Sequence, residues 1–417
     1  MDFAKDLQVK EIVIESVTGV EWDISLLMAE FNVYEDIYNS TVSADIVIDD
    51  AFNRIKNMPI TGHEWLRLKF ATPGKALIEL RLRIYKISAR ELEKERRQFY
   101  VIHCVDDLQF TNAKVRISKA YKDKTISEIA KSVQSEFLKS EFATLEATKN
   151  LFHIIPAYWT PFKTMNFLVS RANSTANKGA NYIYFQNANG FHFVSLEKLV
   201  DVKPKVKYLF QPANSRDQEA EAGSKPRTME SDSVAIEAYK FESNFDTLEN
   251  LSNGMYGSRL LWYDIRKKEF GETTFDYDTS YAEYKHVEPN SVVGGSSKLW
   301  TSKTDFKSDL GAFKFFPIGQ PEQDNHVKDW LLQRISQMQQ IQNIRLFVTV
   351  PGDSERVAGD LVEISLPSPE PLRDNKQELD SYYTGRYLVS GLRHVVNKRE
   401  YRTVLELVKD SVFTAYP

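Results

Sequence analysis

The stretch from Tyr85 to Val105 returns without a gap at Tyr387 to Leu407, at a constant offset of 302 (387 − 85 = 302; 407 − 105 = 302). In that register Tyr85 matches Tyr387, Ser88 matches Ser390, Arg97 matches Arg399, Phe99 matches Tyr401 and Ile102 matches Val404. Both copies break at a charged tip, Glu95-Arg96-Arg97-Gln98 in the first and Asn397-Lys398-Arg399-Glu400 in the second. Upstream of each lies a matching strand opening, Ile60-Thr61-Gly62-His63-Glu64 and Val357-Ala358-Gly359-Asp360-Leu361. The spacing differs by five residues (85 − 62 = 23; 387 − 359 = 28), which fits a longer hairpin in the second copy. A chain with the same β-unit near both ends presents two equivalent surfaces, and three such chains in a ring present six.

The 417 residues predict two to four domains. A chain of this size buries roughly three quarters of its unfolded surface and needs no covalent staples. The 12% of aromatic residues are mostly Tyr and Phe, which favours β-structure. A net charge of −4 points to neither a duplex-binding surface nor an anionic membrane. Cys104 is the single cysteine, so no intrachain disulfide forms, and its apolar strand predicts a buried, inert thiol. Met1 to Lys10 is charged and lacks an apolar core, and no window approaches 18 uninterrupted apolar residues. Neither a secretory signal nor a transmembrane helix is expected, and the chain reads as a soluble product of the cytosol.

Residues 9 to 110 read as nearly all β, with strands at Val9–Glu15, Val42–Ile48, Trp65–Phe70, Leu77–Ile87 and Phe99–Val105. Leu77, Glu79, Arg81 and Arg83 alternate with Ile78, Leu80, Leu82 and Ile84, the pattern of a half-solvated strand. From about residue 111 the period changes. Thr125-Ile126-Ser127-Glu128 is a capping box, followed by a helical stripe of Ile126, Ile129, Val133 and Phe137. Thr160-Pro161 opens a second helix, and Asn189-Gly190 joins a hairpin of 182–185 and 191–195. Residues 211–231 and 289–298 read as mobile loops, and 323–343 carries the strongest helical pattern.

These segments predict a β-rich α+β chain with two related antiparallel β-barrels and two α/β inserts. The boundaries fall at 1–110 for the first barrel and 111–205 for the first insert. The second barrel is discontinuous, 206–240 with 344–417, and the second insert is 241–343 with its long helix at 323–343.

Catalytic signals are weak. The histidines His63, His103, His153, His192, His286, His326 and His394 are scattered, with no HxH or HExxH and no cysteine pair to complete a zinc site. Gly294-Gly295-Ser296-Ser297-Lys298 lacks the first glycine of a phosphate loop. Pro351-Gly352-Asp353-Ser354 has no nucleophile elbow around it and reads as a tight turn. The acids Asp49-Asp50, Asp106-Asp107 and Asp276/Asp278 resemble the pairs of glycoside hydrolases, yet 58 Asp and Glu make pairs common by chance. The rings of Tyr256, Trp262, Tyr263, Phe270, Phe275, Tyr277, Tyr281 and Tyr284 suit either a sugar platform or packing. No enzyme, cofactor, metal or catalytic residue is predicted.

Several segments resemble one family, the central baseplate hub proteins of T4-type contractile-tailed bacteriophages. Phe31–Ile37, Ile46–Asp50 and Met58–Glu64 resemble its first β-domain. Trp159–Phe162, Phe167–Ala172 and the 184–196 hairpin resemble its helical insert, and Gly254–Ser258 with Tyr263-Asp264 its second insert. Pro351–Asp353, Ala358–Asp360, Gly385–Ser390, His394 and Tyr401 through Ser411 match its closing β-domain. Type VI secretion spike proteins carry the same β-design but add a β-helical spike that this chain lacks.

The resemblance implies a non-enzymatic virion protein of the tail baseplate, assembled in the host cytoplasm. It implies a homotrimeric, pseudo-sixfold ring that adapts the tail tube to a trimeric spike. The implied partners are the spike, the tail tube or its initiator, and baseplate wedge proteins, with tape measure protein and DNA passing through the channel. It names no interface residues. The alternative is a tail protein that binds or degrades polysaccharide through the 256–284 aromatics and a carboxylate pair. A hub of a phage-derived injection device reads the same.

Overall fold

The structure, a computed structural model, describes residues 7–51, 60–94, 97–210, 232–243, 245–264, 268–292, 314–318, 326–368 and 379–414. The Gly294–Lys298 segment and the 211–231 loop lie outside the described residues.

A 14-stranded sheet forms the frame. Its first half runs in space as Met28–Asp36, Ser43–Asp50, Arg97–Asp106, Ile78–Lys94, Trp65–Ala71, Gln8–Glu15 and Glu21–Asp23, all antiparallel. Alternation decides which way each side chain points. Ala44, Ile46 and Ile48 turn inward to meet Phe31, Leu66, Leu68, Phe70 and Ile102. The opposite face carries cross-strand ion pairs, Arg67 to Glu11 at 2.9 Å and Lys69 to Glu79 at 2.6 Å. Such exposed pairs contribute little energy each but keep the face polar.

The second half pairs Lys207–Phe210, Leu361–Ser365, Gly385–Asn397, Tyr401–Lys409, Ile344–Pro351 and Ala238–Ser243 in turn. Ala235–Ile236, which precedes Ala238–Ser243 in the chain, pairs with Lys207–Phe210. Lys207–Phe210 is parallel to both of its neighbours, where the sequence reading expected an antiparallel unit throughout. The long connections 211–234 and 211–360 supply the crossover length that parallel pairing requires.

The 13-residue strand Gly385–Asn397 belongs to both halves. Residues 385–388 pair with Leu361–Ser365, and residues 391–397 pair with Met28–Asp36 on the same edge. At about 3.3 Å per residue it spans roughly 40 Å. Its root packs Tyr387, Val389 and Leu392 into the second core, while Val396 and Tyr401, at the tip, enter the first.

The repeated stretch forms a hairpin in each half, but not in the ungapped register. Each first strand carries a bulge near its root, Tyr85 opposite Cys104/His103 and Ser390 opposite Leu407/Glu406, and the first-half strand shifts register twice more toward its tip. Aligning the bulges matches Leu82 with Tyr387, Ile84 with Val389 and Ile87 with Leu392, an offset of 305 (389 − 84 = 305). On the second strand Ile102 matches Leu405 and Cys104 matches Leu407, an offset of 303 (405 − 102 = 303). Both differ from 302 by an odd number, so the ungapped pairing crosses faces. Tyr85 is 52% exposed whereas Tyr387 is fully buried. The strand openings do match: Gly62 and Gly359 both sit in the left-handed region, with φ of 90° and 93°.

Residues 107–200 pack three helices on the hairpin Tyr182–Asn187/Gly190–Ser195. The capping box forms, with Glu128 Oε2 accepting from Thr125 N at 2.8 Å. A π-helical turn, Gln134–Leu138, follows Val133 and shifts the stripe, so Leu138 is buried and Phe137 only half-buried. The later helix is Val327–Gln340. Asn290–Ser291, expected in a mobile loop, instead pairs with Ser411–Val412.

Candidate functional site

Buried polar groups gather at the joint where the two halves of the sheet meet the first insert. Glu35, at the end of Met28–Asp36, is 3% exposed. Its Oε1 accepts from Ala188 N at 2.7 Å and its Oε2 from Ala358 N at 2.9 Å. One carboxyl thus ties the first half to the insert and to the second half. Burial pushes its pKa up to about 8 against the pull of the two amides.

Around it, Arg356 is 5% exposed and reaches Asp353 and Asp360, both at 3.2 Å. Lys75 closes on Asp353 at 2.9 Å and Lys205 on Asp360 at 2.6 Å. The burial of Asp353 is outweighed by the Lys75 hydrogen bond, so its carboxyl is held below the usual range. Ser354, the one serine of the 351–354 turn, donates to Ala76 O at 2.7 Å and accepts from Thr72 N at 3.1 Å. It is a stitch between the halves and not a nucleophile. Gly352 lies against the Tyr401 ring, where an added Cβ would fall 2.1 Å from ring carbons.

The insert hairpin is stitched to both halves. Gln186 accepts from Val42 N at 3.0 Å and donates to Asp106 at 2.8 Å, and Asn187 donates to Ala358 O at 2.9 Å. A cleft of about 250 Å³ opens beside this contact, lined by Phe185, His192, Val194, Leu199, Val357 and Leu361 among others. Burial, followed by Lys198, lowers the His192 pKa to about 4.

A second joint lies at the C-terminal end. His286 Nδ1 is 2.8 Å from Asp410 Oδ2, and its Nε2 is 2.9 Å from the Tyr281 carbonyl. Both partners only accept, so both ring nitrogens donate and the imidazole is cationic. Burial opposes that charge, but the Asp410 bond prevails and the pKa is raised.

Most of the remaining predicted candidates are held by packing or hydrogen bonds. Tyr256, Tyr277 and Tyr281 pack edge-on in sequence, and Tyr281 stacks on His286 at 3.8 Å. Lys328 lies 3.4 Å above Trp262, Phe275 packs on Tyr284, and Phe270 stays 61% exposed. Asp49 is bound by Arg97, Asp106 caps Asp107–Lys114, Asp107 holds Arg83, and Asp276 caps Tyr277–Ser280. His394 is fully buried beside Phe70 and Tyr401, and burial lowers its pKa to about 4. Cys104 is 1% exposed and burial pushes its thiol up. Among the described residues no three His, Cys, Asp or Glu side chains are grouped to hold a metal, and no helix is long and apolar enough to cross a membrane. Glu35 and Arg356 carried no sequence signal, because a charged residue on an alternating strand or turn reads as solvated.

No protein-family profile matches the chain. It is 22% identical over 404 residues to a probable baseplate hub protein of Vibrio phage KVP40, covering 92% of this chain and 90% of that one. A tail protein from Neisseria meningitidis MC58 has the same fold, with a TM-score of 0.54, 12% identity and coverage of 98% and 99%. So does the 43 kDa tail protein of prophage MuSo2 from Shewanella oneidensis, with a TM-score of 0.56, 10% identity and coverage of 96% and 98%. These relatives are a probable baseplate hub protein and two tail proteins. The chain is therefore similar, along nearly its whole length, to a phage baseplate hub protein, and it is built on the fold of phage tail proteins.

Proposed function

We propose that the chain is the structural hub of a contractile phage tail baseplate. Three copies close into a ring whose six β-units, two per chain, adapt a sixfold tail tube to a threefold spike. The ring lines the channel for tape measure protein and DNA, and its outer surface meets baseplate wedge proteins. In this reading 1–110 and the pair 206–240 with 344–417 are the two barrel-like units, while 111–205 and 241–343 are inserts facing spike and wedge. Assembly takes place in the host cytoplasm.

One observation carries the reading: two hairpins in matching settings, each with a bulge near its root and a left-handed opening glycine, are fused through the shared strand Gly385–Asn397. Fusion of this kind fixes the angle between two units, which a closed ring requires. The similarity to a named hub protein over 92% of the chain supports the same conclusion.

The test is the solution mass and negative-stain averages of the purified chain, alone and with its neighbouring trimeric spike. A ring of six lobes at about three times 48.1 kDa is expected. A monomer that persists with the spike present, or a compact dimer, overturns the proposal.

A further inference from the structure

Ser88, His103 and Asp45 lie on three neighbouring strands of the first half, on the face opposite the core. Ser88 Oγ is 2.6 Å from His103 Nε2, and His103 Nδ1 is 2.6 Å from Asp45 Oδ1. A carboxylate only accepts, so Nδ1 carries the proton and Nε2 is left to accept from the Ser88 hydroxyl. Acid, imidazole and hydroxyl in that order make the arrangement that activates a serine, and it is recognised by geometry and not by position in the chain.

Two further features mark the place. The ladder steps from Ser88↔Val101 to Glu91↔Phe99, so Ala89 and Arg90 have no partner in the register. Ala89 sits at φ 49°, a left-handed conformation for a residue with a Cβ. The backbone beside the hydroxyl thereby leaves the regular ladder. Tyr85 is 52% exposed and its ring centre lies 6.0 Å from that of His103, a flat face beside the hydroxyl. The side chains of His103 and Asp45 keep 21% and 32% of their surface, so the group opens to solvent.

We propose that Ser88 is a nucleophile that takes a small acyl group from an ester, the O-acetyl ester of a carbohydrate being the substrate class. An open sheet face with one exposed aromatic suits a short acyl group on a sugar better than a long hydrocarbon chain. Ser88 Oγ attacks the ester carbonyl while its proton passes to His103 Nε2. The bond to the sugar oxygen breaks, and that oxygen takes the proton. Water, deprotonated by His103, then attacks the acyl carbon, the bond to Ser88 Oγ breaks as that oxygen takes the proton from His103, and acetate is released. Asp45 is a positioning residue that holds the imidazole tautomer. This activity is independent of the hub reading, since chemistry is set by sites and not by folds.

The test treats the full chain with p-nitrophenyl acetate and with a fluorophosphonate, followed by peptide mass mapping. One adduct per chain on Ser88 is expected, absent in Ser88→Ala and formed about 10²–10⁴-fold more slowly in His103→Ala. Asp45→Asn is expected to slow the labelling of Ser88, and Asp45→Glu to restore most of it. Circular dichroism establishes that each variant is folded. A folded parent chain without an adduct on Ser88 overturns the proposal, because a purely structural cross-strand contact has the same distances and no reactivity. Equal labelling of Ser88→Ala overturns it too.

Discussion

Ile84 and Val389 hold the same post in the two halves of the sheet. Ile84 N–H donates to the Glu64 carbonyl at 3.1 Å, and Val389 N–H donates to the Asp360 carbonyl at 2.8 Å. Each bond fastens a long hairpin strand to the turn that opens its neighbour, just after a left-handed glycine. The correspondence is one of backbone path, and it survives although the side chains around it have diverged.

The shared strand makes a thermodynamic prediction. Leu68→Ala removes a fully buried side chain from the first core and Leu407→Ala one from the second. Each is expected to cost about 2–5 kcal/mol. Both should move one common unfolding transition, because Gly385–Asn397 is paired in both halves. Calorimetry resolving two transitions, only one shifted by each variant, would contradict this coupling.

Gly352 has no room for a side chain, since a Cβ there would stand 2.1 Å from the Tyr401 ring. Gly352→Ala must move either the ring or the loop, and overpacking of this sort costs about 1–3 kcal/mol. Denaturant titration of the purified variant measures it, and a loss below that range would mean that the ring yields freely.

Arg356 neutralises two buried carboxylates, Asp353 and Asp360. Arg356→Ala leaves both without it and is expected to cost about 3–5 kcal/mol. Lys75 and Lys205 remain within 2.9 Å and 2.6 Å of the two acids, which sets the lower end of that range. Urea midpoints of parent and variant give the difference.

Glu35 and His286 pull stability down as pH rises, against His192 and His394, which act the other way below 6.5, and Lys409, which does so above about 8. Burial raises the Glu35 pKa from 4.5 in the unfolded chain to about 8 in the folded one. Its contribution is complete below 4.5 and is lost as pH rises through 8. His286 has the same sign. Burial opposes its charge, but the Asp410 bond raises its pKa above 6.5, so its contribution is complete below 6.5 and fades above the folded value. Stability is therefore expected to fall between pH 6.5 and 8, and Glu35→Gln to flatten that fall. An unchanged slope in Glu35→Gln would assign the dependence elsewhere.

Cys104 should resist a thiol reagent in the native protein, since it is 1% exposed and burial disfavours its thiolate. Labelling that keeps pace with unfolding in urea is the expected result, and rapid labelling without denaturant would refute it.

What the sequence determined was local. Alternation placed Gln8–Glu15, Ser43–Asp50, Trp65–Ala71 and Arg97–Asp106 to within a few residues but missed Glu21–Asp23, Met28–Asp36 and the far end of Ile78–Lys94, while Thr125 and Glu128 announced their cap, and Asn189-Gly190 its hairpin. Such signals lie in neighbouring residues, because they arise from backbone sterics and from hydrogen bonds a few positions apart. The tertiary structure alone decided the register of the repeat, where bulges at Tyr85 and Ser390 changed the facing of matched residues. It also decided the π turn that replaced Phe137 by Leu138 in the core of the insert. The joint at Glu35 and the Ser88–His103–Asp45 row were hidden for the same reason. Ala358 lies 323 residues from Glu35, and Asp45 lies 58 from His103, so only strand pairing brings their atoms together. Desolvation, which gives Glu35 its shifted pKa, is likewise a property of everything packed around a residue and not of its neighbours in the chain.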